Sequence, residues 1–63
     1  MAYTVFIYKD GSVDSQQSFD DIQKAFEYLG TLDLQTETER CILDDGQNIL
    51  FDLKRNENGN LAT

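Results

Sequence analysis

Tyr3-Thr4-Val5-Phe6-Ile7-Tyr8-Lys9-Asp10-Gly11-Ser12 sets six β-forming residues just ahead of an Asp-Gly pair. Aromatic and β-branched side chains fit a pleated, half-buried surface. Asp-Gly supplies the two positive φ angles that a two-residue type I′ turn requires. The stretch therefore predicts a strand over Tyr3–Tyr8 that turns at Asp10-Gly11 and returns along Ser12–Gln17. Val13 is the only apolar anchor of that return arm, so it reads as a weak strand at a sheet edge. The same signal recurs at Asp45-Gly46, where Glu39–Asp44 is expected to pair with Gln47–Lys54. Ile7–Ser12 and Ile42–Gln47 echo each other around their turns, but the flanking residues do not match. The echo reads as one turn chemistry used twice.

Between the two hairpins the periodicity changes from two to about 3.6. Phe19, Ile22, Ala25, Phe26 and Leu29 form one apolar stripe, with Asp20, Gln23, Lys24 and Glu27 opposite. Ser18 is the expected N-cap, Asp21 completes an approximate capping box, and Gly30 is placed to end the helix. Thr31–Thr38 reads as a polar connection tethered by Leu32 and Leu34, and residues 56–63 as a flexible C-terminal tail. The expectation is one α+β domain over residues 1–55, in ββ-α-ββ order. Its antiparallel sheet of three to four strands carries one helix on one face.

Composition narrows the function classes. Twelve acidic residues against five basic ones give a net charge of -7, with no histidine and no proline, in 63 residues. Such a chain is repelled by phosphate backbones and anionic bilayers, so neither nucleic acid nor membrane is expected as a direct partner. Lys54 and Arg55 are the only adjacent basic residues. Cys41 is the sole cysteine, so no intrachain disulfide forms, and Met1-Ala2 runs into a strand-like segment without a basic or apolar leader pattern. Both point to a cytoplasmic setting.

Catalytic chemistry finds little material. Without histidine there is no imidazole base or ligand. Cys41 reads as a small apolar strand residue, and the paired acids Asp20-Asp21 and Asp44-Asp45 are explained by a helix start and a turn. Asp10, Ser12, Asp14 and Asp21 fall at calcium-loop spacing, but Ser15 stands where such a loop needs glycine. The expectation is no enzyme, no metal and no cofactor.

A closed two-residue turn at Asp45-Gly46 would set Ile42 opposite Ile49 and Leu43 opposite Asn48. Alternation then assigns Val5, Ile7, Ile42, Ile49, Phe51 and Leu53 to the helix side. Phe6, Tyr8, Cys41, Leu43 and Leu50 are left on a face that no helix covers, and an apolar patch of that kind marks an interaction surface. The candidate partner contacts are Phe6, Tyr8, Leu43 and Leu50, together with the acids Glu27, Asp33, Glu37, Glu39 and Asp44. In size and acidity the chain resembles small phage-encoded inhibitors of host defence or transcription enzymes, such as anti-restriction and anti-CRISPR proteins. The reading is a non-catalytic protein-binding module, an inhibitor or regulator that occupies a basic groove of a partner. In its sharpest form it is a decoy that mimics nucleic acid. The alternative is a structural or accessory subunit that homodimerises through the uncovered sheet face.

Overall fold

The computed structural model describes residues 2–62. Five antiparallel strands and one helix follow in the order β1 (Tyr3–Lys9), β2 (Ser12–Phe19), α1 (Ile22–Asp33), β3 (Arg40–Asp44), β4 (Ile49–Arg55) and β5 (Leu61–Ala62). The sheet order is β2-β1-β3-β4-β5. The ββ-α-ββ order of the first five elements is thus the expected one, and the sheet gains a fifth strand. No helix among the described residues is long and apolar enough to cross a membrane.

The first hairpin follows its turn chemistry. Lys9 pairs with Ser12, and Asp10 and Gly11 have φ of 55° and 82°. That is the two-residue loop of the type I′ kind. A bulge then shifts the register between Ile7 and Tyr8, leaving Asp14 as the extra residue on β2. As expected, β2 is an exposed edge strand.

The second hairpin does not follow the same rule. Asp44 pairs with Ile49 and Leu43 with Phe51, so four residues, Asp45–Asn48, form the loop and Leu50 is bulged. The cause is side-chain competition for the turn's backbone donors. The Asp45 carboxylate accepts from the N–H groups of Gln47 and Asn48 at 2.9 and 2.7 Å, and the Asp44 carboxylate accepts from that of Gly46 at 2.6 Å.

This register reverses the expected faces of β3. Val5 lies opposite Leu43 and Ile7 opposite Cys41, and these four pack with Ala25, Leu29 and Leu32 of the helix. Cys41 and Leu43 are therefore core residues on the helix side. Ile42 lies opposite Phe6 on the other face. Because side chains alternate with period two, an odd slip of register moves every residue of a strand across the sheet.

The helix also begins and ends later than its stripe suggested. Ser18 and Phe19 belong to β2, paired with Thr4 and Tyr3, and Ser18 Oγ lies 3.3 Å from Thr4 Oγ1. Asp21 is the N-cap, its carboxylate accepting from the Gln23 N–H at 2.9 Å. Phe19 reaches the core from the strand and tilts against Tyr28, with ring centroids 5.3 Å apart. At the other end Gly30 lies within the helix, which closes at Leu34 in right-handed geometry. Leu32 is the buried tether of this region, whereas Leu34 is 83% exposed.

Arg55 completes the helix from outside it. Its guanidinium donates to the carbonyls of Leu32, Asp33, Gln35, Thr38 and Gly59, at 2.7 to 3.4 Å. It also pairs with the Asp33 carboxylate at 3.3 Å. Carbonyls left open at a helix C-terminus favour such a cation. The same Asp33 carboxylate accepts from the Leu61 N–H at 2.8 Å, and Lys54 and Arg55 pair with Ala62 and Leu61. Residues 56–62 thus turn back through Asn56, whose side chain accepts from Asn58 and Asn60, and close as β5 rather than fraying. Thr63, the last residue of the expected tail, lies outside the described residues, as does Met1.

Candidate protein-binding surface

The register fixes the face away from the helix as three rows. Gln16, Phe6, Ile42 and Asp52 make the middle row, and Val13, Tyr8, Arg40 and Lys54 make the row beside it. Ser18, Thr4, Asp44 and Ile49 make the third. Phe6 and Tyr8 are half-buried there, and Ile42 is buried. Arg40 forms a two-pronged pair with Asp52, with bonds of 2.8 and 2.6 Å, and lies over the Tyr8 ring at 5.4 Å. The Arg40 hydrogen bond holds the Asp52 carboxyl below the usual carboxylate range, and Asp52 in turn raises Arg40. A charged pair thus crosses the face expected to be an apolar patch.

The sequence-predicted contacts do not gather in one place. Leu43 is fully buried under the helix, so it belongs to the core and not to the uncovered face. Phe6 and Tyr8 remain on the open face, and Leu50 is 37% exposed at the bulge. Among the acids, Asp33 is engaged by Arg55 and Leu61. Glu37 lies 3.9 Å from Lys9, which also meets Asp14 at 3.6 Å. The backbone N–H and C=O of Glu39 bridge Tyr8 and Arg55, and Glu27 is exposed on the helix. These four acids lie along the helix or toward its C-terminal end. Asp44 alone stands at the opposite end of the sheet.

That opposite end carries a surface that sequence reasoning missed. Because Tyr3 pairs with Phe19, Thr4 with Asp44 and Asp44 with Ile49, one end of the sheet collects four features. These are the exit of β2, the entry of the helix, the β3–β4 loop and the start of β4. Asp20, Asp21, Asp44 and Asp45 lie in these segments. The ion pairs among the described residues involve none of the four. Asp21, Asp44 and Asp45 are held by backbone N–H groups, and those bonds keep the Asp45 carboxyl below its ordinary value.

Beside this acidic rim runs an exposed apolar strip. Ile49, Leu50 and Phe51 are 60, 37 and 40% exposed, and Phe26 of the helix is 42% exposed. Phe26 and Phe51 meet edge to face with centroids 5.4 Å apart. Ile49, opposite Asp44, lies on the open face and Phe51, opposite Leu43, on the helix side, so the strip wraps the β4 edge. Isolated exposed apolar residues are ordinary, but three consecutive ones in a strand of so small a chain are not. The strip also lies on a strand edge that is open among the described residues, where β5 pairs with β4 at Lys54 and Arg55. A signal for it was present: three consecutive apolar residues in an alternating strand cannot all face one helix.

At the far end an open cleft of about 400 Å³ is lined by Tyr8, Gly11, Glu39, Arg40, Lys54 and Arg55. Arg40 is taken up by Asp52 there, and Arg55 by the helix end. The calcium-like spacing is dispersed, since Asp10 and Asp21 stand beyond opposite ends of the extended strand β2.

No family model, curated protein or solved structure matches this chain.

Proposed function

We propose that the protein is a non-catalytic binding module that occupies a basic groove of a protein partner, using the apolar and acidic end of its sheet as the contact. The observation that carries this reading is the apolar strip of Phe26, Ile49, Leu50 and Phe51 beside four carboxylates that no cation pairs among the described residues. An apolar centre supplies affinity, and a single-signed rim selects and steers an oppositely charged partner. Three of the carboxylates are held by the backbone, so ordering them on binding costs little. Fixed, spaced negative charges on a small rigid body are also what a decoy for a nucleic-acid-binding groove requires. The alternative of homodimerisation through the open sheet face has less support, because Leu43 and Cys41 lie in the core and Arg40–Asp52 crosses that face.

The test is isolation of partners from the native cell with wild type and with D44N/D45N. Asparagine keeps the side-chain oxygen that accepts from the loop, so the charge changes while the turn stands. The expected result is a nucleic-acid-binding protein retained by wild type at low salt, released at high salt and retained poorly by the variant. Equal retention of the same partner by both proteins, at any salt, counts against the reading.

A further inference from the structure

The apolar strip has a backbone component that a groove contact alone does not use. The Arg55 N–H points into the sheet, donating to the Glu39 carbonyl at 2.8 Å. Alternation then turns the N–H and C=O of Asp52 and Lys54 outward. Lys54 meets β5 there, whereas no strand among the described residues lies beyond Asp52. An unpaired strand edge of this kind is a template for another strand, and proteins usually blunt it with charge, a bulge or a short length.

The other edge of the sheet is blunted in that way. Along β2 the sequence is Ser12-Val13-Asp14-Ser15-Gln16-Gln17-Ser18, with a bulge at Asp14. On β4 a bulge is present too, but the exposed residues around it are Ile49, Leu50 and Phe51. Among the described residues β5 pairs with the last two positions of β4.

We propose that the partner adds a strand to this edge, pairing a basic, extended segment with Ile49–Leu53 in the antiparallel sense of every other ladder in the sheet. This deepens the proposed function and rests on it. Charge selects the occupant. The β3–β4 loop sets Asp44 and Asp45 beside the Ile49 end of the edge, so Lys or Arg is favoured at the C-terminal end of an antiparallel segment. The residue opposite Phe51 falls on the helix side of the sheet, beside Phe26, and is apolar. Main-chain bonds at Asp52 supply affinity and the two kinds of side-chain contact supply register, the division of labour usual in strand addition. A second copy of the chain would place two bodies of charge -7 against each other, so a basic segment is the better occupant.

The experiment is amide NMR with a synthetic peptide of alternating Val and Thr that ends in Arg-Lys, compared with the same composition reversed. The expected result is shifts over Ile49–Leu53, slowed exchange of the Asp52 amide, and β2 amides that do not move. I49K should weaken binding about tenfold or more, and D44N/D45N should weaken it while lowering its salt dependence. Shifts at Asp20, Asp21, Asp44 and Asp45 without slowed exchange at Asp52 would overturn strand addition and leave the basic-partner reading standing. Equal binding of the two peptides would overturn the antiparallel assignment. Absence of any binding, together with partner capture that ignores D44N/D45N, would overturn both.

Discussion

Arg55 stabilises a helix to which it does not belong. Its side chain is 15% exposed and reaches carbonyls on the helix end, the following loop and the C-terminal turn. Lysine keeps the charge but not the planar set of donors. R55K should therefore lose about 2 kcal/mol of unfolding free energy by chemical denaturation. Gly30 makes the opposite prediction. It sits in the helix interior with nothing within 4 Å of the position a Cβ would take. G30A should gain about 1 kcal/mol, and a loss would mean that the backbone there is not ordinary helix. Asp52 gives a pH signature. Its carboxyl is held low by the Arg40 hydrogen bond, so the stability it contributes is present above the unfolded carboxylate value of about 3.9. It is lost as pH falls through the folded value. D52N should be less stable than wild type at neutral pH, and the two should converge in acid below that folded value.

At the scale of elements, the C-terminal turn and β5 are tied to the helix end through Asp33, Arg55 and Leu61. Amide exchange at Leu61 should be slow in wild type and fast in D33A, because the acceptor at 2.8 Å is then gone. The sequence carried only part of this. Asp10-Gly11 was legible because both residues take the positive φ that the turn needs. Asp45-Gly46 was misread because two carboxylates capture the loop's N–H groups and lengthen it by two residues, and the bulge at Leu50 then adds the odd slip that reverses the faces of β3. Ser18 looks like a cap in sequence, but cross-strand pairing with Thr4 holds it in β2. The tail was illegible for a different reason. Its order comes from an arginine whose carbonyl partners lie up to 23 residues away, a relation no local window contains. Of the candidate contacts, Asp44 and Leu50 stay at the acidic, apolar end, whereas Phe26, Ile49, Phe51 and Asp45 emerge only once the register is known.

For the whole molecule, charge is unevenly distributed. Lys9, Arg40 and Arg55 are engaged with acids away from the acidic rim, where Asp20, Asp21, Asp44 and Asp45 have no paired cation among the described residues. A net charge of -7 on 63 residues is self-repelling, so unfolding free energy should rise between low and moderate salt. A fall would show that the ion pairs outweigh the repulsion. The central claim is that recognition resides at the end of the sheet where Phe26, Ile49, Leu50 and Phe51 adjoin the acidic rim. The most direct measurement is an amide shift map of the protein bound to the partner it captures from its native cell. The account predicts that the largest changes fall on Phe26, Asp44, Asp45 and Ile49–Leu53. Changes confined to Phe6, Tyr8, Ile42 and Arg40, on the open face of the sheet, would contradict it.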